Sequence, residues 1–228
     1  MVHGEWTAAE VEYGESATRF TILRDGEPWG IVETALAGAF NVRNCLACAA
    51  AAATIGVPSD LVCTALASFR NVRRRMELRG EVSGVAIIDD FAHHPTAVRE
   101  TITAVRQRFR NRRIVAVFEP RSYTAQRREF QGAYEDALGL ADEVIIAGLF
   151  HPERYDAATA LNPGQLVEAW RARGLTAQHE PDTGKIVDYL ARTTRAGDVV
   201  LIMSNGAFGR IHERLMAALQ QRASTWPS

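Results

Sequence analysis

The sequence predicts an α/β protein whose carboxyl-terminal two thirds form a doubly wound domain with a mostly parallel sheet. Two observations support this fold class. From residue 82 onward, short runs of valine, isoleucine, leucine and alanine alternate with segments of helical character. These runs are continuous rather than alternating, as is typical of strands that helices cover on both faces. With 47% hydrophobic and 23% charged residues, the chain has enough apolar surface to build such a core.

The segment that precedes this domain predicts a β-hairpin region followed by two helices. Strand-like stretches, separated by glycine-containing turns, lie at residues 6–13, 18–23 and 29–36. Helices are expected at residues 41–55 and 59–69. The arginine-rich stretch 70–79 is interpreted as a connector. We therefore place a domain boundary there, with one domain at residues 1–72 and the other at 73–228.

The second domain predicts a regular succession of strands and helices. Its strands are expected at residues 82–88, 113–118, 143–147 and 198–203. Its helices are expected at residues 95–108, 124–138, 164–173, 185–193 and 208–220. In a sheet of this kind, ligands bind at the carboxyl ends of the strands, so the loops that follow the strands are the places to look for function.

Composition and charge exclude several classes of protein. Lys+Arg number 26 and Asp+Glu number 27, so nothing in the charge favours a nucleic-acid partner. The longest apolar stretch, residues 45–55, is too short to span a bilayer. No signal peptide is expected from the opening residues, and three cysteines give no disulfide framework. Neither a membrane nor a nucleic acid is expected as a partner, and a cytoplasmic location is expected.

The first polar loop, residues 89–95, follows an apolar strand and contains two carboxylates and two imidazoles. Asp90 and its neighbour Asp89, together with His93 and His94, could hold a metal, transfer protons or bind a sugar hydroxyl. An aspartate that caps a helix beside surface histidines is the structural alternative. A metal hydrolase built on these four residues is the functional alternative, although no further ligand with suitable spacing is evident.

The second and third polar loops follow the strands that end near residues 118 and 203. Arg121 can hold a carboxylate through two hydrogen bonds, and Ser122 can cap the helix that follows. Asn205 and Gly206 lie where backbone can approach a ligand closely, before a helix whose amino end attracts anions. A capped helix with a solvent-facing arginine and a simple tight turn are the structural alternatives.

Two asparagines at a helix start form a fourth candidate. Asn41 and Asn44 are three residues apart, so their amides share a face and could bind an adenine edge. A helix cap by Asn41 is the alternative. A nucleotide phosphate loop is not recognisable, because residues 179–186 fail the GxxxxGK[ST] pattern at both ends.

Taken in order, these segments resemble the Mur ligase family. The family's central ATP-binding domain has a Gly-x-His-Asn-x-x-Asn helix start, which residues 38–44 match except that Phe40 replaces the histidine. An arginine-rich joint follows in the family and is matched at 73–77. The family's Asp-Asp-aromatic-x-His-His-Pro loop is matched at 89–95. On this resemblance, residues 1–72 would be the end of the central domain and 73–228 the carboxyl-terminal domain.

The segments Glu-Pro-Arg-Ser at 119–122 and Ser-Asn-Gly-x-Phe-Gly-x-Ile-His at 204–212 are most similar to one member of the family. That member joins UDP-N-acetylmuramate to the tripeptide L-alanyl-γ-D-glutamyl-meso-diaminopimelate in peptidoglycan recycling. The resemblance thus implies an ATP-dependent ligase that works through an acyl phosphate. L-Alanine is an alternative acceptor, because a related ligase shares the loop at 89–95 but typically has histidine at position 121. A non-catalytic nucleotide- or peptide-binding module is the alternative of another class.

The resemblance also implies roles for individual residues. The residues that would bind ATP are Asn41, Asn44, Arg75 and Asp90. The residues that would face the incoming peptide are His93, His94, Arg121, Ser122, Asn205 and Gly206. No catalytic residue and no metal ligand is assigned, because the Mg²⁺ ligands and the phosphate loop of the family lie upstream of the matched region. The chain by itself is therefore expected to be inactive.

Overall fold

The computed structural model describes residues 5–154, 156 and 158–225. Its contacts divide the chain into two compact units. The first runs up to Val72 and takes in Thr103–Arg110, and the second comprises Arg73–Ile102 and the chain from Asn111 onward. No helix within the described residues is both long enough and apolar enough to cross a bilayer.

The first unit is a three-stranded antiparallel sheet with two helices packed against it. The strands, in spatial order, are β1 (Trp6–Tyr13), β2 (Thr18–Arg24) and β3 (Glu27–Thr34), and the helices are α1 (Ala39–Thr54) and α2 (Ser59–Ser68). Alternate residues of β2 point into the core, where Phe20 and Ile22 are almost fully buried beside Val42 and Cys45 of α1. The predicted hairpin region is therefore present, with boundaries that shift by one or two residues.

Cys45 and Cys48, which form a Cys-x-x-Cys pair on α1, differ in their exposure to solvent. Cys45 is buried in the core, and burial, with a smaller contribution from Cys48, raises its pKa to about 11. Cys48 is exposed. A thiol with so high a pKa is a poor nucleophile at neutral pH, so this pair does not have the properties of a redox motif.

The second unit contains a six-stranded sheet in the order β4-β5-β9-β6-β7-β8. Its strands are β4 (Glu77–Val82), β5 (Val85–Asp90), β6 (Ile114–Phe118), β7 (Glu143–Ile146), β8 (Thr176–His179) and β9 (Val199–Met203). All neighbouring strands are parallel except β4, which pairs antiparallel with β5. The helices of this part of the chain are α3 (Pro95–Arg108), whose residues from Thr103 onward are counted with the first unit, α4 (Gln131–Leu138), α5 (Pro163–Ala172), α6 (Thr183–Thr193) and α7 (Ile211–Thr225). The predicted α/β class with a mostly parallel sheet is confirmed.

Helices cover both faces of this sheet. On one face, Ile87, Val117 and Val200 pack with residues of α6 and α7 such as Ile186 and Leu215. On the other face, the ring of Phe118 lies 5.1 Å from that of Tyr134 in α4. Every residue of β5, β6, β7 and β9 is buried, which explains why these strands are continuous apolar runs in the sequence.

Three elements differ from the prediction. The connector prediction at 70–79 was wrong in its last three residues, because Glu77–Val82 forms β4. A tight turn with positive φ at Ser83 and Gly84 joins β4 to β5. The edge strand β8 was not predicted. The helix expected at 124–138 is broken at Arg127, which is extended and pairs with Ala160. Only Gln131–Leu138 is α-helical there.

Candidate ligand-binding site

The three polar loops of the second unit leave neighbouring strands at the same edge of the sheet. The strand β9 lies between β5 and β6, so the loop after Met203 is next to both other loops. The backbone joins them directly: Ser204 N–H donates to Asp90 O at 3.1 Å, and Glu119 N–H donates to Met203 O at 3.0 Å. The polar residues of all three loops therefore surround a common region.

Asp90 is buried and fully engaged by its own chain. One carboxylate oxygen accepts from Ala92 N–H at 2.7 Å and from the Thr101 hydroxyl at 3.3 Å, and the other accepts from Met76 N–H at 2.8 Å. Burial raises the pKa of Asp90, although these hydrogen bonds and the nearby Arg75 oppose the shift. Because Asp90 is buried, its carboxylate is not open to a ribose hydroxyl in this structure. In this structure Asp90 holds the loop together.

Asp89 is the centre of a buried ionic cluster. Its carboxylate lies 3.5 Å from Arg74 Nε, 3.6 Å from Arg79 Nη1 and 3.3 Å from His212 Nε2. Burial by itself would raise the pKa of Asp89, but His212 and Arg74 outweigh it, so the pKa lies below its usual value of 3.8. The cluster joins the connector at Arg74 to β4, β5 and α7, and therefore fixes the base of the site.

This cluster predicts a specific dependence of stability on acid. Because the native pKa of Asp89 is below 3.8, its contribution to stability is complete above pH 3.8 and is lost as the pH falls through the native pKa. We expect the free energy of unfolding to fall more between neutral and acidic pH for the wild type than for Asp89→Asn. Urea unfolding at a series of pH values measures this difference. An identical pH dependence in the two proteins would contradict the assignment.

Arg74 connects the connector to the loop after β9. Its guanidinium donates to Ser204 O at 2.5 Å and to Gly206 O at 2.9 Å, in addition to its contact with Asp89. Its backbone has a positive φ of 59°, which an arginine adopts only when surrounding contacts impose it. These bonds hold the carbonyls of the third loop in place.

The other predicted residues of the first loop lie near its surface. Arg75 is exposed, and its guanidinium carbon is 5.5 Å from the centre of the Phe91 ring. His93 is half-buried with its Nδ1 3.0 Å from Phe91 O. His94 is exposed and packs edge-on against Phe130 at 5.3 Å. The imidazoles and Arg75 thus remain accessible to a ligand.

The four residues of the metal-hydrolase alternative do not form a metal centre. Asp89 faces two arginines and His212, and Asp90 faces backbone amides. Within the part of the chain that the structure describes, no three His, Cys, Asp or Glu residues are grouped closely enough to hold a metal ion. The arrangement of these side chains therefore does not support that alternative.

Arg121 is held in position by three neighbours. Its Nη1 lies 3.7 Å from Glu119 Oε1, and its guanidinium carbon lies 3.8 Å from the centre of the Phe150 ring. Its side chain also crosses directly over Gly206, where an added Cβ would overlap Cδ and Nε of the arginine. Ser122 accepts a hydrogen bond from Ala125 N–H at 3.0 Å and so caps the turn that follows.

A chain of hydrogen bonds supports Glu119. The Ser204 hydroxyl donates a short hydrogen bond to Glu119 Oε2 and accepts one from Gly206 N–H at 2.9 Å. Asn205, between these two residues, has a side-chain oxygen that is buried and has no hydrogen-bond partner among the described residues. Because a buried oxygen of this kind normally has a partner, Asn205 is a candidate to receive a donor from a ligand.

A pocket of about 360 Å³ opens beside Arg121. It is lined by Arg121, Tyr123, Gln126, Phe150, His151 and Arg154. Gln126 is buried and donates to Arg121 O at 2.9 Å, which fixes the backbone of the arginine. The pocket combines two arginines with aromatic surface, a combination that suits an organic anion.

The paired asparagines belong to the first unit. Gly38, with a φ of 89°, is the N-cap of α1, so the capping alternative for Asn41 was wrong. Asn41 instead donates its amide to Ala37 O at 2.8 Å and accepts from the Asn44 amide at 3.3 Å. Asn44 is exposed. The shared face that the spacing predicted is present, with the two amides in contact.

Sequence reasoning gave no role to several residues that build this site. Arg74, Glu119, Phe150 and His212 were not selected, although each contacts a residue that was. Glu119 could have been found, since it is the first polar residue after an apolar strand. The roles of Arg74, Phe150 and His212 depend on contacts between residues far apart in the sequence, which no local pattern indicates.

Comparison with known proteins agrees with the resemblance. The family model described as "Mur ligase, glutamate ligase domain" matches residues 74–206. The UDP-N-acetylmuramate–L-alanyl-γ-D-glutamyl-meso-2,6-diaminoheptandioate ligase of Escherichia coli is 38% identical over 221 residues, which are 96% of this chain and 46% of that protein. A UDP-N-acetylmuramate–L-alanine ligase of Desulfitobacterium hafniense is 31% identical over 209 residues, which are 92% of this chain and 46% of that protein.

Among solved structures, a murein peptide ligase of Psychrobacter arcticus has a TM-score of 0.67 and 31% sequence identity. That similarity covers 95% of this chain and 44% of the ligase. The chain belongs to the Mur ligase family. It spans about half the length of the curated relatives that it matches.

Proposed function

We propose that the chain is the carboxyl-terminal part of an ATP-dependent ligase that joins UDP-N-acetylmuramate to L-alanyl-γ-D-glutamyl-meso-diaminopimelate. In this proposal residues 1–72 are the end of the central ATP-binding domain and residues 73–228 are the domain that receives the peptide. The relatives from Escherichia coli and Haemophilus influenzae whose names state this reaction, at 38% and 35% identity, support it. L-Alanine is the second candidate acceptor, since ligases named for it are 31–34% identical.

The observation that carries the proposal is that the Arg121 side chain is fixed in position while its guanidinium makes no hydrogen bond to a described residue. Glu119, Phe150 and Gly206 hold its side chain in place, yet its guanidinium makes no hydrogen bond within the described part of the chain. A fixed guanidinium with free N–H groups is suited to bind a carboxylate through two parallel hydrogen bonds. The proposed peptide offers such carboxylates. Arginine at position 121, where the alanine ligase typically has histidine, favours the peptide as acceptor.

The proposed reaction has two steps. The muramoyl carboxylate attacks the γ-phosphorus of ATP, which gives an acyl phosphate and ADP. The peptide's amine then attacks the acyl carbon, and the tetrahedral intermediate loses phosphate and a proton to form the amide. Positioning and charge stabilisation provide most of the catalysis in such transfers. This chain would contribute positioning, with Arg121 and the loops at His93-His94, Ser122 and Asn205-Gly206 facing the peptide.

Four residues are proposed to act on the ATP side of the site. Asn41 and Asn44 would bind the adenine, and Arg75, which is exposed, would bind the ribose or a phosphate. The oxygens of Asp90 already accept hydrogen bonds from Met76 and Ala92. Asp90 would therefore support ATP binding indirectly, by positioning Phe91, whose ring Arg75 contacts. ATP requires Mg²⁺ as its counterion, and we assign no Mg²⁺ ligand to this chain. Those ligands are expected in the amino-terminal part of the enzyme.

A ligation assay tests the proposal. The full-length ligase is expected to release ADP and to form the muramoyl tripeptide, detected by mass spectrometry, at a higher kcat/KM than with L-alanine. The 228-residue chain alone is expected to consume no ATP with the same substrates. A preference for alanine would replace the proposed acceptor with the alternative one. ATP consumption by the 228-residue chain alone would contradict the proposal that the reaction requires the amino-terminal part of the ligase. A full-length protein that binds ATP and peptide without reaction would identify a binding module.

A further inference from the structure

The pocket beside Arg121 contains a second arginine that the proposed function has not used. Arg154 follows Phe150 in a segment that turns through a short 3₁₀ helix at Pro152–Arg154, and its N–H donates to His151 O at 3.0 Å. Arg154 lines the same pocket as Arg121. The segment thus supplies both the aromatic ring under Arg121 and a second positive charge.

The charges of the pocket are not balanced. Glu119 is the carboxylate beside Arg121, and it already accepts a hydrogen bond from Ser204. Glu153 is bonded to His151 at 3.0 Å and also interacts electrostatically with Arg154, its neighbour in the chain. No carboxylate of the described residues lies within ion-pair distance of Arg154. The residues that line the pocket include two arginines and no carboxylate, and such a lining favours an anionic ligand.

The chemistry of the two candidate acceptors differs in the number of carboxylates. L-Alanine has one. In the tripeptide, the γ-linkage leaves the α-carboxylate of D-glutamate free, and the diaminopimelate residue has two more. A pocket with one arginine could hold either acceptor by a single carboxylate. A pocket with two separate guanidiniums matches a ligand with at least two separate carboxylates, because each planar guanidinium binds one carboxylate best.

We infer that Arg154 binds a second carboxylate of the acceptor peptide, so that this pocket selects a peptide with several carboxylates over a single amino acid. This inference rests on the proposed function. Phe150 holds the Arg121 guanidinium carbon 3.8 Å from its ring centre, so Arg121 is fixed. Arg154 is exposed and lines the same pocket, where it can reach a second carboxylate of the ligand.

The test uses Arg154→Gln in the full-length ligase, because glutamine keeps a polar side chain and removes only the charge. The control is Arg192→Gln, which changes an exposed arginine of α6 that lines a different surface pocket. Steady-state kinetics are measured with the tripeptide varied and, separately, with ATP varied at a fixed peptide concentration. The first series is repeated with tripeptides in which one carboxylate at a time is converted to a primary amide. We expect Arg154→Gln to raise the KM for the tripeptide about tenfold, the loss typical of one charged hydrogen-bonding contact near solvent.

The expected pattern has three further parts. In Arg154→Gln, the kcat and the KM for ATP stay unchanged. The control Arg192→Gln has the kinetic constants of the wild type. One of the amidated peptides gives the same KM with the wild type and with Arg154→Gln. That peptide identifies the carboxylate that Arg154 binds. An unchanged KM for the tripeptide in Arg154→Gln overturns the inference and leaves the proposed function intact. An equal rise in the KM for ATP assigns Arg154 to a phosphate and also overturns it. A wild-type enzyme that ligates no tripeptide overturns the proposed function itself.

Discussion

Replacing Arg121 with alanine in the full-length ligase should raise the KM for the tripeptide by roughly 30- to 150-fold, which corresponds to the loss of about 2–3 kcal/mol. The reason is that the guanidinium is already fixed against Glu119 and Phe150, so binding a carboxylate requires little further ordering. The KM for ATP should change much less. Steady-state kinetics with each substrate varied in turn measure both values, and equal effects on the two would contradict the assignment of Arg121 to the peptide.

A second variant tests whether the position of Arg121 matters as well as its charge. In Gly206→Ala, the new Cβ would overlap the Arg121 side chain and force it out of place. We expect the same selective rise in the KM for the tripeptide, and little additional loss in the double variant with Arg121→Ala, because both changes remove one interaction. Gly132→Ala in α4, where an added Cβ meets nothing, is the matched control. Additive losses in the double variant would show that Gly206 acts independently.

Replacing Asp90 with alanine should lower the free energy of unfolding by about 2–4 kcal/mol. The substitution leaves two buried backbone N–H groups and the Thr101 hydroxyl without their acceptor. Part of this loss is offset because burial raises the pKa of Asp90, which means that its charge is itself unfavourable in the fold. Urea unfolding of the 228-residue chain, followed by circular dichroism, measures the change.

The variant Asp90→Asn is the control for this prediction. Its amide oxygen can still accept from Ala92 and Thr101, and only the bond from Met76 is lost, so it should be less destabilised than Asp90→Ala. Alanine and asparagine variants of equal stability would show that the hydrogen bonds of Asp90 do not hold the connector to the loop.

The central strands could be predicted from the sequence because their environment leaves a simple pattern. Burial on both faces makes β5, β6, β7 and β9 continuous apolar runs, and each was expected within a few residues of its observed position. The edge strands β4 and β8 have no such pattern, since one side of each strand has no neighbour and their residues are mostly polar or charged. The break at Arg127 in the helix expected at 124–138 was not predictable from local sequence either, because it depends on backbone pairing with Ala160.

The candidate site was predictable to the level of its loops. Topology alone places the polar residues after β5, β6 and β9 at one edge of the sheet, and the structure brings those loops together. The contacts within the site were not predictable. The sequence gives no sign that Gly206 lies under Arg121 or that Phe150 packs against it, since these residues come from three separate segments.

The position of β9 in the sheet has a consequence for synthesis of the protein. A nascent chain that ends at β8 contains two groups of strands, β4-β5 and β6-β7-β8, with no hydrogen-bonded link between them, because β9 provides every bond that joins β5 to β6. The loops of Asp90 and Arg121 then lack the neighbour that ties them together. Only when Val199–Met203 has left the ribosome can the two half-sheets close, so the sheet and its ligand-binding edge form together, late in translation.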